Sequence, residues 1–169
     1  MKKILLLFTA LGMFSLTGCN KDDDRTDNDT YSEVFEVDNV NFTTTNTVNS
    51  ISIPLDPVIY TSDVILVYRL SGTDSGKDVW EPLPTTYNFT NDDKLSYYFD
   101  FSIDKVVVYL ESNFSLVSQS AFTQNQVFRV VIVPGYFSKT TKAGIDYRDY
   151  NAVIKAYGIN EKNMKVIKL

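Results

Sequence analysis

The chain has 169 residues with 21 acidic and 16 basic side chains, so its net charge is −5. This acidity argues against nucleic acid as a partner, because neutralisation of phosphates by Lys and Arg drives that binding. The chain has no histidine and one cysteine, which excludes Ser-His-Asp and Cys-His catalysis, the usual zinc sites and an intramolecular disulfide. No cofactor or metal motif is present, and the length suits one domain with a sizeable core.

The N-terminus has the pattern of a bacterial lipoprotein signal. Met1-Lys2-Lys3 precedes an apolar run from Ile4 to Leu16, which is shorter than the roughly 20 residues that span a bilayer. Leu16-Thr17-Gly18-Cys19 then forms a lipobox, in which small residues precede the thiol that takes the lipid. We predict a signal peptide over residues 1–18 and attachment to the membrane through a lipid anchor at Cys19.

The segment after the cysteine predicts a flexible acidic tether over residues 19–30. Its Asp-rich stretch has no aliphatic or aromatic side chain to bury and lacks the Gly and Glu spacing of a calcium loop. The residues next to Cys19 resemble the lipoprotein export signal of Bacteroidota; they are Lys21, Asp22, Asp23 and Asp24. The resemblance implies an outer-membrane protein that faces the cell exterior.

Residues 31–169 predict a single domain, most of it β-structure. Short runs rich in Val, Ile, Tyr, Phe and Thr alternate with Asn, Asp, Gly, Ser and Pro. About eight strands without helices between them predict an antiparallel β-sandwich of immunoglobulin-like size. The predicted strands cover residues 33–42, 48–53, 63–70, 79–84, 85–90, 95–103, 106–111 and 126–134.

Several local features accompany these strands. Asp38-Asn39 suggests a bend or bulge, residues 71–76 a loop, and residues 112–125 a longer polar loop. Two prolines in residues 79–84 are compatible with an edge strand or an extended loop. Asp104-Lys105 is compatible with a tight turn or with a bend where one strand changes sheet.

The C-terminal region changes to a helical period. Tyr150, Val153, Ile154 and Tyr157 share one face of a predicted amphipathic helix near residues 146–157. Asp146 is the expected N-cap, and Gly158 is placed to end the helix. We expect this helix to cover the sandwich, and residues 164–169 to add an edge strand.

Two kinds of side chain carry the functional hypotheses. Exposed aromatic rings can stack on sugars, and we select Trp80, Tyr87 and Tyr98 as candidate ligand-binding residues. The alternative is a hydrolase, which would need two carboxylates about 5 to 10 Å apart. The available carboxylates on strands are Glu36, Glu81, Asp100 and Glu111.

Four phrases of the sequence resemble a group of small lipoproteins of flavobacteria and other Bacteroidota. They are Val34–Val37, Asp63–Leu70, Val79–Pro84 and Phe122–Arg129. The resemblance implies origin and location but no activity. We therefore predict a lipid-anchored, non-enzymatic binding or structural module with a glycan or protein partner, and a carboxylate hydrolase or a subunit of a cell-surface assembly as alternatives.

Overall fold

The computed structural model describes residues 32–135 and 144–169. In these ranges nine strands form two sheets, so the predicted mainly β fold is confirmed. The signal peptide, Cys19 and residues 21–24 lie outside the described residues. The strands are β1 Glu33–Val40, β2 Val48–Pro54, β3 Val64–Asp74, β4 Lys77–Pro82, β5 Thr85–Asn88, β6 Lys94–Phe101, β7 Lys105–Ser112, β8 Gln126–Val133 and β9 Lys165–Lys168.

The two sheets have different sizes. One contains five strands in the order β4-β3-β8-β1-β9, and the other contains four in the order β2-β7-β6-β5. All neighbours are antiparallel except β1 and β9, which are parallel. A register shift between Val37 and Val40, with Asn39 at a φ of 56°, lies at the bend or bulge predicted for Asp38-Asn39 in β1.

Alternation along the strands places the main core between the sheets. In β6, Leu95 and Tyr97 are fully buried, and in β7 Val106, Val108 and Leu110 face the same interior. Because the side-chain period of a strand is two, the residues between them point away from this core. The four-stranded sheet therefore has one buried face and one outer face.

Strands β3 and β8 are apolar on both faces because each face packs against a different hydrophobic cluster. Val67 and Val130 lie in the core between the sheets, whereas their neighbours Tyr68 and Val131 lie in a second cluster on the outer side of the five-stranded sheet. That second cluster also contains Val153 of the C-terminal helix. The helix thus covers the outer face of the five-stranded sheet, as expected.

Two α-helices lie entirely within the described residues, α1 (Ser120–Thr123) and α2 (Tyr150–Tyr157). The predicted start of α2 was wrong: Asp149, not Asp146, accepts the capping hydrogen bond from the backbone of Ala152, so the helix is two turns long. Asp146 instead binds the side chain of Arg148. Gly158 ends α2 at a φ of 64°, as predicted.

Other local predictions were partly wrong. Most of the predicted loop at residues 71–76 belongs to β3, and only Ser75 and Gly76, both with positive φ, form the turn to β4. Strand β4 is an edge strand. Of the two alternatives for Asp104-Lys105, the tight turn is observed: residues 102–104 connect β6 to β7 within the same sheet. The predicted polar loop at 112–125 contains α1. No helix in the described ranges is long and apolar enough to cross a membrane.

Candidate functional site

The outer face of the four-stranded sheet is the candidate site, and we call it the open face. Its residues come from all four strands, and none of them is buried. They alternate with the core residues of the same strands, which fixes their direction. The open face consists of Val48, Ser50, Ser52, Pro54, Thr86, Asn88, Lys94, Ser96, Tyr98, Asp100, Lys105, Val107, Tyr109 and Glu111.

Two tyrosines occupy the centre of the open face. Tyr98 of β6 and Tyr109 of β7 are direct partners in the antiparallel register. Their rings are stacked with centroids 4.9 Å apart and an angle of 12° between the ring planes. Cross-strand aromatic pairs of this kind stabilise each other, so the two rings form one preorganised aromatic surface.

Two carboxylates hold this tyrosine pair in place. The Tyr98 hydroxyl donates to Glu111 Oε2 at 2.9 Å, and the Tyr109 hydroxyl donates to Asp100 Oδ2 at 3.0 Å. Each hydrogen bond crosses from one strand to the other, in opposite directions. The carboxylates accept one bond each from the pair and retain further lone pairs.

The electrostatics of the open face keep both hydroxyls protonated. Burial and the hydrogen bond to Glu111 raise the pKa of Tyr98, and the hydrogen bond to Asp100 raises the pKa of Tyr109. Within the described ranges neither Asp100 nor Glu111 forms an ion pair with Lys or Arg. The centre of the face is therefore acidic, whereas Lys94 and Lys105 place positive charge at the outer positions of β6 and β7.

Small hydroxyl side chains flank the tyrosine pair on both sides. On the β2 side, Ser50 is the register partner of Tyr109. On the β5 side, the hydroxyls of Thr86 and Ser96 are 2.8 Å apart. Because Ser and Thr are much shorter than Tyr, the ring pair stands above its flanks with polar groups at their base.

Such an arrangement suits a flat, polyhydroxylated ligand. Aromatic carbon can pack on the apolar side of a sugar ring, while carboxylates accept hydrogen bonds from its hydroxyls. Ser and Thr hydroxyls can donate or accept, so the flanks add adaptable contacts. Binding would require no movement of the strands, because the side chains already lie on a rigid sheet.

The other two predicted ligand-binding aromatics lie elsewhere. Trp80 of β4 is half-buried on the face that α2 covers, with its ring centre 4.0 Å from the guanidinium carbon of Arg129. Its centroid is 5.7 Å from that of Tyr150. Trp80 therefore shares no surface with Tyr98, and ligand binding by Trp80 stays a prediction.

Tyr87 lies in a polar cluster at one edge of the interior. Its hydroxyl donates to Glu81 and accepts from Arg69 Nη1 at 3.0 Å, and burial raises the pKa of Tyr87 to about 12. Arg69 is 5% exposed and also donates to Gln126 Oε1 at 2.8 Å. Since the Tyr87 hydroxyl binds both charged side chains, its position is explained by the satisfaction of a buried arginine.

The candidate carboxylates divide into two pairs. Glu36 and Glu81 are committed to arginines: Glu36 Oε2 is 3.1 Å from Arg129 Nε, and Glu81 Oε2 is 3.7 Å from Arg69 Nη1. Asp100 and Glu111, in contrast, both lie on the open face. The structure therefore brings together Tyr98 and two carboxylates that the sequence identified separately.

A cleft of about 510 Å³ lies at the start of β1, and its lining includes neither the tyrosine pair nor Asp100 and Glu111. Its walls are mostly apolar and include Phe35, Leu55 and Ile167. One of its carboxylates, Asp63, accepts hydrogen bonds from the backbone of Tyr60 and Gly135, which ties it to loop structure. No group of three or more potential metal ligands occurs among the described residues.

Sequence reasoning missed Tyr109 as a site residue. The signal that could have found it is the alternation in β7, where Val107, Tyr109 and Glu111 occupy the positions between the apolar core residues. Placing Tyr109 beside Tyr98 also needs the register of β6 and β7. The turn at residues 102–104 sets that register, and the sequence left this turn ambiguous.

No protein-family model, curated protein or solved structure matches this chain. The candidate site therefore depends on its own geometry.

Proposed function

We propose that this protein is a lipid-anchored, non-enzymatic glycan-binding module of the outer membrane that faces the cell exterior. The N-terminal signal, Cys19 and the export motif support the location. The open face supports the binding role, because it combines aromatic carbon, hydrogen-bond acceptors and hydroxyls on a rigid, accessible sheet. The domain would present this face at the end of its acidic tether.

The observation that carries the proposal is the stacked pair of Tyr98 and Tyr109, held by Glu111 and Asp100. A surface tyrosine pair could simply be ordinary cross-strand packing, but here both hydroxyls also order an acidic residue beside the rings. Preorganised groups lose little entropy on binding, which favours recognition of a weakly held ligand such as a sugar.

The charge of the open face defines the class of glycan. Asp100 and Glu111 form no ion pair in the described residues, so a glycan carboxylate placed beside the tyrosine rings would be repelled. Neutral glycans and those with amino sugars present hydroxyl or ammonium donors to the same oxygens. We therefore expect neutral or amino-sugar glycans to bind more tightly than uronate-rich glycans.

The test is a glycan array with the purified full chain and a Tyr109→Ala variant. We expect binding to neutral or amino-sugar glycans, and a loss of affinity of about tenfold or more in the variant, because one stacking surface and one ordered carboxylate are lost. Tyr60→Ala is the matched control, since Tyr60 is 55% exposed but lines the cleft. No glycan binding, or equal losses in both variants, would contradict the proposal.

The location has an independent test. Protease treatment of intact cells should digest the domain together with outer-face controls, and Cys19→Ala should release the protein from the membrane fraction. Full protection of the domain would refute surface exposure without affecting the binding role. Retention of Cys19→Ala in membranes would refute the lipid anchor.

A further inference from the structure

The free edge of β2 is the least protected of the four sheet edges. Strand β2 is the last strand of the four-stranded sheet and pairs only with β7. Within the described ranges, residues 48–54 make no backbone hydrogen bond outside that pairing. The strand therefore presents a row of backbone donors and acceptors along its outer edge.

The other three edges carry features that discourage strand pairing. Strand β4 has Lys77, Asp78 and Glu81, and it is distorted by a register shift opposite Gly72. Strand β9 has four residues, of which two are lysines, and β5 also has four residues. Charges, irregularity and short length are the usual ways in which proteins block an edge.

Strand β2 has none of these protections before its last residue. Its sequence is Val-Asn-Ser-Ile-Ser-Ile-Pro, seven residues without a charge, and only Pro54 at the end lacks a donor. Its outward side chains are exposed, and Val48 is 49% exposed. An edge of this kind can accept another strand without repulsion between charges.

We propose that β2 pairs with β2 of a second copy of this chain, in antiparallel orientation. An uncharged strand is compatible with itself in a twofold arrangement, because no like charges face each other. Lipid anchoring on one membrane, proposed above, would also keep copies at high local concentration. The pair would join two four-stranded sheets into one sheet of eight strands.

Continuity of the two faces fixes the register of this pairing. Core-facing residues must oppose core-facing residues, and the register that pairs all seven positions is centred on Ile51. Ser50 of one copy then opposes Ser52 of the other on the open face. Ile51 opposes its own counterpart on the core side, where it already packs against the main cluster.

The proposed dimer would turn two open faces into one continuous surface. The two Tyr109 positions would be three strand spacings apart across the sheet, about 14 Å at roughly 4.8 Å per strand, and offset by two residues along the strands. A polymeric ligand could contact both tyrosine pairs at once, which raises avidity without new contacts. This consequence rests on the proposed glycan function, whereas the pairing itself does not.

The test is sedimentation of the full chain in detergent, together with two charge variants. The wild type should sediment with twice the protein mass of one chain. The double variants Ser50→Lys with Ser52→Lys, and Ser50→Glu with Ser52→Glu, should each be monomeric, because like charges face each other across the twofold axis. A mixture of the two variants should restore the doubled mass, because opposite charges then pair.

The matched control is Thr86→Lys with Asn88→Lys, which places the same charges on the exposed side of β5 and should leave the dimer intact. A monomeric wild type up to the concentration of an NMR sample would overturn the proposal. Doubled mass in each charge variant alone would also overturn it, since the contact would then lie elsewhere. None of these measurements involves a glycan, so they test the dimer independently of the glycan proposal. A chain that binds no glycan on the array can still sediment as a dimer, and a monomer can still bind a glycan.

Discussion

The two outer faces of the sandwich contain the same types of side chain but differ in what neutralises their carboxylates. On the face under α2, which we call the covered face, Arg129 binds Glu36 at 3.1 Å and Glu161 at 2.9 Å and lies over the rings of Trp80 and Tyr150. On the open face, two tyrosines and two carboxylates have no arginine among them.

This difference predicts different roles for the two faces, stability for one and binding for the other. On the covered face the arginine satisfies the acidic groups and fills the space between the rings, so few groups are left for a ligand. On the open face the tyrosine hydroxyls satisfy the carboxylates only in part. The covered face should therefore control stability, and the open face should control binding.

The largest expected effect is alkaline unfolding, to which the tyrosines of the covered face contribute together with Tyr87 and Tyr97 of the interior. Burial and neighbouring groups raise the pKa values of Tyr68 and Tyr150, and burial with the Tyr147 hydrogen bond raises the pKa of Tyr157 to about 12. These tyrosines hold their protons more tightly when folded than at the ordinary value of about 10. Stability is then complete below about pH 10 and is lost as pH rises through 12.

Absorbance of tyrosinate and circular dichroism, recorded together against pH, check this expectation. Part of the tyrosine signal, from exposed rings, should titrate before the β-signal is lost, and the remainder should appear with unfolding. Titration of every tyrosine in a folded protein would contradict the account of the covered face.

The second effect is the loss of Arg129. The change Arg129→Ala should cost about 3 kcal/mol of unfolding free energy, because it leaves Glu36 without its cation in a half-buried site and removes the guanidinium between the rings. Urea unfolding measures the loss. The emission of Trp80, the only tryptophan, should shift to the red as its environment becomes wetter.

Arg148→Ala is the control for this prediction. Arg148 also binds a carboxylate, Asp146, but its side chain is 82% exposed. Its removal should change neither the urea midpoint nor the Trp80 emission measurably. Equal effects of the two arginine variants would show that the ion pairs of Arg129 on the covered face stabilise the protein no more than the exposed pair of Arg148 does.

The third effect concerns the helix cap. Asp149→Ala should destabilise the protein by about 1 kcal/mol, because the backbone donor of Ala152 loses its acceptor at the start of α2. Asp146→Ala, at the position that the sequence favoured, should have a smaller effect. The reverse order in urea unfolding would restore Asp146 as the cap.

The smallest stability effect belongs to the open face. Tyr98→Ala should cost about 1 kcal/mol or less, because its ring is only half-buried and its hydroxyl binds an exposed carboxylate. Trp80 emission should not change. A loss comparable to that of Arg129→Ala would mean that the tyrosine pair is primarily structural.

Much of the fold could be predicted because local chemistry determines it. The two-sided apolar runs of β3 and β8, the alternation in β6 and the face of α2 all follow from side-chain period. The start of α2 could not be fixed in this way, because Asp146 and Asp149 are both good caps and only the position of the chain against the sheet selects between them.

The candidate site was less predictable for the same physical reason. Tyr98, Asp100 and Glu111 were recognisable one by one, but their assembly depends on the register of β6 with β7. Trp80 and Tyr87 looked equally suitable in sequence, yet tertiary packing placed them beside Arg129 and Arg69. The periodicity of the sequence predicts which face of a strand a side chain lies on. The residues that it contacts there depend on the order and register of the strands.

The most direct test of the open face as a binding surface is the map of amide chemical shifts by NMR during titration with the glycan that binds best on the array. We predict the largest shifts in β6 and β7 around Tyr98 and Tyr109, with small shifts in β4 and α2. Shifts confined to the covered face or to the cleft at the start of β1 would contradict this prediction.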